Sequence, residues 1–246
     1  MKDKGEEEEL DEVAKKSYQS LAARLNYLAL GRTDVQYGVK ELMRAMSKPM
    51  LDDWEKLKRM TRYLLGAPRA CQVFRWQRRP EELKVYVDSD FAGCHRNRKS
   101  TSGGVIMWGS HMIKSWSKTQ PVIALSSGEA ELGALVKGST EALGMVSVLG
   151  DFGQTAGLEL HSDASAAIGM VKREGLGKVR HLAVADLWIQ QKEADRSIKY
   201  FKVDGKANVA DILTKGVEEA LIKAHMHSIG FEFKFGRHRF APNKVD

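Results

Sequence analysis

The chain has 246 residues, enough for one full domain with an appendage, and 43% of them are hydrophobic, as in an ordinary globular protein. No apolar run approaches the roughly 20 residues needed to span a bilayer, and no secretory signal opens the chain. We therefore expect a soluble intracellular protein, in the cytoplasm or the nucleus, with no membrane partner. The two cysteines, Cys71 and Cys94, are too few for a disulfide framework and lack the spacing of a zinc site.

The formal net charge of +7 is unevenly distributed along the chain. Residues 1–12 carry seven acids and two lysines, a net charge of −5, so the remaining residues carry +12. A basic body suggests a polyanionic partner, whereas the alternative is a lysine-rich surface that is only solvated. Composition alone does not decide between the two.

The first third of the chain changes its pattern twice. Residues 1–16 are acidic and poor in apolar side chains, which predicts a disordered tail. Over residues 17–66 the apolar residues recur at spacings of three and four, and this periodicity predicts three helices. Residues 67–82 are expected to form a linker with a strand at 71–76.

From residue 83 the apolar residues first follow the spacing of strands, and further along the chain predicted helices alternate with strands. Strands are predicted at 83–87, 104–108, 112–116, 158–161 and 198–203, and helices at 128–149, 164–172, 184–194 and 208–227. Three hairpin-linked strands followed by alternating strands and helices predict an α/β domain over 83–228, with a mixed five-stranded sheet and flanking helices. Residues 229–246 are predicted to be a basic C-terminal tail.

Four acids occupy strand ends and helix starts of this domain: Asp88, Glu131, Asp163 and Asp211. Ligands of open α/β sheets gather at such positions. Converging carboxylates repel one another unless cations neutralise them, and Mg²⁺ prefers oxygen ligands of this kind. Two ions about 4 Å apart can activate a water and stabilise a leaving alkoxide. Each acid alone could equally cap a helix or end a turn, so the prediction depends on the set.

Six segments of the domain resemble motifs of ribonuclease H domains in copia-type (Pseudoviridae-like) retrotransposon Pol polyproteins. They are VYVDSDFAG at 85–93, RKSTSG at 98–103, IKSWSKTQ at 113–120, ALSSGEAELGA at 124–134, LHSDASA at 160–166 and ANVADILTK at 207–215. Residues 18–68 resemble the connection segment that joins the polymerase to ribonuclease H in these elements. The resemblance covers about residues 17–232, and no strand-flanked Tyr-x-Asp-Asp polymerase motif is present.

The resemblance implies a ribonuclease H-like fold and a C-terminal Pol fragment that cleaves the RNA strand of RNA–DNA hybrids. Carried over residue by residue, it makes Asp88, Glu131, Asp163 and Asp211 the catalytic and metal-binding set, with two Mg²⁺ ions or Mn²⁺ as a substitute. It also implies a reverse transcriptase polymerase domain as a partner. Residues 200–206 lack the histidine that many cellular and retroviral relatives place about ten residues before the last acid. Copia-type domains generally lack it too, and its absence bears on the rate of cleavage.

Two of these acids have close rivals. Asp90 lies two residues after Asp88 on the same face of the strand, and Glu129 lies two residues before Glu131. We favour Asp88 because it directly ends the apolar strand, and Glu131 because the LGAL pattern after it is similar to the family's helix.

Substrate binding is expected to be mostly electrostatic, with RNA 2′-hydroxyls marking the strand to be cut. The candidate nucleic-acid contacts are Arg96, Arg98, Lys99, Lys118, Lys172, Arg173, Lys178, Arg180 and His181. Each is individually more often a solvated surface charge, and His181 could serve structure as well as substrate positioning.

Three alternative functions compete with hybrid cleavage. A catalytically decayed domain would bind hybrids without cutting them. A strand-transferase of the integrase class shares the fold but needs a glutamate roughly 35 residues after its second aspartate, and no suitable one follows Asp163. A structural partner of a polymerase subunit would use the helices of residues 17–66.

Overall fold

The computed structural model describes residues 8–94, 96–175, 187–236, 238 and 240. The chain divides into two compact units, and the division does not follow the chain order. The first unit comprises Met1–Val73 together with Phe231–Asp246, and the second comprises Phe74–Gly230. Each unit is described by itself.

The first unit contains three helices in the region where the apolar periodicity predicts them. They are α1 (Glu12–Leu28), α2 (Gln36–Met43) and α3 (Leu51–Gly66). Residues 12–16, assigned from the sequence to a disordered tail, belong to α1. The reason is local, because the Asp11 carboxylate accepts a hydrogen bond from the Ala14 amide at 2.8 Å and caps the helix.

The core of the first unit lies between the three helices. Tyr18 and Ala22 on α1 are fully buried and pack with Leu42 and Leu57. The Tyr18 hydroxyl donates to the carbonyl oxygen of Leu42 at 2.7 Å, so even the polar end of this ring is satisfied inside the core.

A two-stranded antiparallel sheet also belongs to the first unit. Strand β1 (Arg69–Gln72) pairs with β7 (Phe231–Lys234) in a register that sets Arg69 opposite Lys234 and Gln72 opposite Phe231. The first strand therefore lies earlier than the predicted 71–76, and part of the predicted basic tail is a strand. Burial of Phe231 is consistent with this pairing, which joins residues too distant in sequence for a local pattern to reveal.

The second unit is built on a five-stranded mixed sheet, as predicted. Its strands are β2 (Glu82–Asp90), β3 (Thr101–Trp108), β4 (His111–Thr119), β5 (Gly157–Ser162) and β6 (Lys199–Lys202). The spatial order is β4-β3-β2-β5-β6, with antiparallel pairing among β2, β3 and β4 and parallel pairing of β5 with β2 and β6.

Among its described residues, the second unit has four helices: α4 (Ser127–Asp151), α5 (Ser165–Val171), α6 (Trp188–Ala194) and α7 (Glu219–Ser228). The first residues of the predicted 184–194 helix lie outside the described residues. Alternate residues of β2, including Val85 and Val87, are fully buried and share a core with Leu135 of α4. At Gly138 the helix comes so near the sheet that a Cβ would lie 2.5 Å from a Val87 methyl.

Helix α4 is long and apolar enough, by length and composition, to cross a membrane. The sequence had predicted no segment of this kind. Ala130, Leu135 and Ala142 on this helix are fully buried in the core of the second unit. Packing on the sheet therefore buries part of the apolar stretch of α4.

The end of the second unit is less regular than the mostly helical stretch predicted over 208–227. Two short 3-10 turns, Gly205–Ala207 and Val209–Leu213, come first, and α7 begins only at Glu219. Side-chain bonds to the backbone compete with a regular helix here, because Asn208 Oδ1 accepts from the Ala210 amide at 3.2 Å and Thr214 Oγ1 lies 3.1 Å from the Asp211 carbonyl.

Candidate metal centre

Three of the four predicted acids converge in the second unit. Asp88 lies near the end of β2, Glu131 in the second turn of α4, and Asp163 directly after β5. One carboxylate oxygen from each lies within 4.8 Å of the others. The parallel pairing of β2 and β5 accounts for the convergence, since it brings the ends of these two strands to the same edge of the sheet.

Asp88 is the most deeply buried of these acids, with 3% of its surface exposed. Burial, together with the negative charges of Asp211 and Asp163, raises the pKa of Asp88 to about 7, although a hydrogen bond donated by the Thr214 hydroxyl to Asp88 Oδ2 opposes the rise. A carboxylate in these surroundings is costly to ionise unless a cation is nearby.

Glu131 is held in a similar way. Burial, and then the charges of Asp88 and Asp163, raises its pKa to about 8. The Ser89 amide donates to Glu131 Oε1 at 3.3 Å. The other oxygen, Oε2, is buried and has no hydrogen-bond partner among the residues that the structure describes. An unpaired buried carboxylate oxygen is costly in a folded protein, and a cation would satisfy it.

Asp211 lies beside this group without belonging to it. It is carried by the 3-10 turn Val209–Leu213, and its negative charge acts on Asp88. Its Oδ1 accepts a hydrogen bond from Lys215 Nζ at 2.8 Å. Burial opposes the charge on Lys215, but this bond and the charges of Asp88 and Asp211 outweigh it and raise the lysine pKa.

The rival acids have other surroundings. Glu129 is part of the start of α4, where its Oε2 accepts from the Leu125 amide at 2.9 Å and its Oε1 from the Ser126 hydroxyl at 3.2 Å. Asp90 is the last residue of β2, and its side chain lies against Gly93 of the following turn, where a Cβ would lie 1.6 Å from Asp90 Oδ2. Neither is part of the converging group.

These donors fit a hard divalent cation. Carboxylate oxygens alone form the group, as Mg²⁺ and Mn²⁺ prefer, and nitrogen or sulphur ligands of the zinc type are not among them. Burial and mutual repulsion raise the pKa values of Asp88 and Glu131, so a bound cation would favour the ionised form of both acids. It would also contact the buried Glu131 Oε2, which has no hydrogen-bond partner among the described residues.

In the motif at 207–215, three neighbours of Asp211 also contact the site, although only the acid was predicted to do so. Asn208 and Thr214 are fully buried and bond to β2, and Lys215 pairs with Asp211. A further residue for which the sequence predicted no role is His225 on α7. This ring is buried, its Nε2 has no partner among the described residues, and burial lowers its pKa against the opposing charge of Asp211.

The predicted nucleic-acid contacts lie in three places. The loop after β2 carries Arg96, Arg98 and Lys99, the end of β4 carries Lys118, and the segment after α5 carries Lys172 and Arg173. Three further predicted contacts lie outside the described residues: Lys178, Arg180 and His181. Residues 91–128 contain five lysines and arginines and no acid. Lys99 Nζ donates to the Pro121 carbonyl at 2.5 Å, which ties the loop after β2 to the loop before α4.

The order of the strands and the acids at one edge of the sheet define an α/β protein with a ribonuclease H-like fold. No family model matches the chain. The retrovirus-related Pol polyprotein from transposon TNT 1-94 of Nicotiana tabacum is 32% identical over 213 residues, which cover 85% of this chain and 16% of that polyprotein. The polyprotein from transposon RE2 of Arabidopsis thaliana is 28% identical, over 87% of this chain and 15% of its own length. The chain belongs to the family of copia-type transposon Pol polyproteins, and it spans less than a fifth of the length of these relatives.

Solved ribonuclease H structures are also similar. LC11-RNase H1 in complex with an RNA/DNA hybrid is 17% identical, with a TM-score of 0.38 over 54% of this chain and 94% of that one. An N-terminal RNase H domain from Mycobacterium tuberculosis is 18% identical, with a TM-score of 0.39 over 60% of this chain and 97% of that one.

Proposed function

We propose that this chain hydrolyses the RNA strand of RNA–DNA hybrids with the help of two divalent cations, as the ribonuclease H part of a retrotransposon polyprotein. The observation that carries the proposal is the convergence of Asp88, Glu131 and Asp163, in which the buried Glu131 Oε2 has no hydrogen-bond partner within the described part of the chain. Membership of the Pol family, together with the resemblance of the motifs to copia-type ribonuclease H domains, supports RNA–DNA hybrids as the substrate class.

Asp88, Glu131 and Asp163 would hold the first cation, and Asp211 would supply the fourth carboxylate for a second one. Mg²⁺ is the expected ion and Mn²⁺ a substitute. When bound, the cations would favour ionisation of the attacking water and neutralise charge on the leaving oxygen. Lys215, paired with Asp211, limits the repulsion among the four acids before a cation arrives.

The cations of the acid-free segment 91–128 would hold the substrate. Arg96, Arg98 and Lys99 follow the strand that carries Asp88, so they would contact phosphates near the cleaved bond. Phosphate contacts do not distinguish RNA from DNA, because both strands carry phosphates. Contacts with the 2′-hydroxyl would therefore identify the RNA strand.

A polymerase domain of the same polyprotein is the proposed protein partner, and an intracellular compartment the proposed location. The exposed apolar residues Tyr27 and Leu30 at the end of α1 support a partner for the first unit, since large apolar side chains on a surface often mark an interface.

The test uses the full chain with an RNA strand labelled at one end, paired with DNA, with RNA or left single. We expect cleavage of the hybrid alone, with Mg²⁺ or Mn²⁺, and none once a chelator is added. Retention of the hybrid without cleavage at any metal concentration would contradict the proposal and indicate a decayed hybrid-binding domain.

A further inference from the structure

The 3-10 turn that carries Asp211 is fastened to β2 at both of its ends. Before the turn, Asn208 Nδ2 donates to the carbonyl oxygen of Val87 at 2.9 Å. After the turn, the Thr214 hydroxyl donates to Asp88 Oδ2. The two acceptors belong to consecutive residues of β2, so the turn is anchored directly at the position of the first acid.

Both fastening side chains are deeply buried. Asn208 and Thr214 have no exposed surface, so water does not compete for their hydrogen bonds. The amide of Asn208 is doubly used, since its oxygen also accepts from the Ala210 backbone. The position of Thr214 relative to β2 is therefore set by bonds at both ends of the turn.

Neighbouring packing leaves Thr214 little freedom. Gly103 on β3 is the register partner of Asp88. A Cβ at position 103 would lie 2.8 Å from the Thr214 methyl and 2.7 Å from the Leu213 Cβ. The absence of a side chain at Gly103 is what lets the turn approach the sheet at this point.

The Thr214 hydroxyl has one proton and two acceptors within reach. Its oxygen is near Asp88 Oδ2 and lies 3.1 Å from the Asp211 carbonyl oxygen. An ionised carboxylate is the stronger acceptor, so the proton goes to Asp88 whenever that acid is charged. A hydrogen bond to one oxygen fixes the rotation of the carboxylate, and hence the direction in which the other oxygen points.

We propose that Thr214 is a positioning residue of the metal centre: its hydroxyl orients the Asp88 carboxylate as a cation ligand and couples it to the turn that carries Asp211. The inference rests on the proposed function only in assuming that this centre binds a divalent cation. Thr214 itself touches neither cation nor substrate in this role.

The experiment measures Mg²⁺ and Mn²⁺ affinity of the full chain by calorimetric titration, without nucleic acid. Thr214→Val keeps the shape and removes the hydroxyl, and we expect its affinity for both ions to fall about tenfold or more, as when an indirect partner of a metal ligand is lost. Thr214→Ser keeps the hydroxyl and is expected to retain most of the affinity.

Thr140→Val is the matched control, because the Thr140 hydroxyl donates to the Val136 carbonyl on the exposed side of α4 and its loss should leave metal affinity unchanged. Folding is checked by circular dichroism, and Thr214→Ala replaces the valine variant if that one does not fold. Parental affinity in the folded hydroxyl-free variant, or an equal loss in Thr214→Ser, would overturn the proposal.

Hybrid cleavage is recorded on the same preparations. A parent chain that binds Mg²⁺ and cuts no hybrid contradicts the proposed function, while the ratio of affinities between Thr214→Val and Thr214→Ser still decides the role of Thr214.

Discussion

Asp88 and Asp90 are two positions apart on β2 and have different surroundings. Asp88 belongs to the converging group of acids, and Asp90 lies against Gly93. Replacing Asp88 by Asn keeps the shape and removes a negative charge from the converging group. We expect Asp88→Asn to lower hybrid cleavage by on the order of a hundredfold or more, since loss of even an indirect partner of a metal ligand costs about 10- to 100-fold. Single-turnover cleavage of a labelled hybrid measures the effect.

Asp90→Asn and Glu129→Gln are the controls for that experiment, because Asp90 packs against Gly93 and Glu129 is bonded at the start of α4. Both should cut close to the parental rate. An inactive Asp90→Asn beside an active Asp88→Asn would move the first ligand to Asp90.

The raised pKa values of Asp88 and Glu131 predict how the stability of the metal-free protein depends on pH. From about pH 4 up to about 7 for Asp88 and about 8 for Glu131, the unfolded chain has lost protons that the folded chain still holds. The contribution of these groups to stability is therefore complete below this window and is lost as the pH rises through it.

Glu131→Gln removes the ionisation of one group. In a chelator, the melting temperature of this variant minus that of the parent should be more positive at high pH than at low pH. Added Mg²⁺ should raise the melting temperature of the parent more than that of the variant at high pH. A difference that does not change with pH would contradict the buried, unneutralised state of Glu131.

At the scale of elements, the periodicity of apolar residues predicted the strands and helices that depend on local sequence, but not the contacts between distant residues. The strands of the second unit and α4 alternate or repeat clearly enough to be located, and the three converging acids adjoin them. The bond from Thr214 to Asp88 joins residues 126 positions apart, so no local pattern reveals it. The same applies to the pairing of β1 with β7.

Two glycines on α4 give a prediction about the packing of this helix on the sheet. Gly138→Ala would place a Cβ 2.5 Å from a Val87 methyl, and we expect it to lower the free energy of unfolding by about 1–3 kcal/mol. Gly144 has open space around it, so Gly144→Ala should raise that free energy by about 0.5–1 kcal/mol. Urea unfolding of both variants measures the two free energies. If both free energies of unfolding change in the same direction, the helix does not pack as described.

At the scale of the whole molecule, charge should govern substrate affinity. If the basic body binds phosphates, the logarithm of hybrid affinity should fall linearly with the logarithm of salt concentration, because bound counterions are released. Arg96→Ala combined with Arg98→Ala should reduce the steepness of that line by about 2.

Lys58→Ala on α3 is the control, since Lys58 is already paired with Glu55 at 2.6 Å and belongs to the first unit. Fluorescence anisotropy measures the salt dependence of hybrid affinity for the parent, the double arginine variant and the lysine control. All three proteins carry Asp88→Asn so that the hybrid is not cut during the measurement. Affinity that does not change with salt would reject the role of the basic loop after β2.

The antiparallel pairing of β1 with β7 has a mechanical consequence. The second unit is connected to the rest of the chain through Gln72 and Phe231, which are themselves partners in the ladder. Tension applied to the two ends of the chain would separate the pairs of this ladder one after another, beginning with the pair of Arg69 and Lys234. The sheet that carries the acids would therefore bear no load until the last pair had parted, so in a pulling experiment the first unit should yield before it.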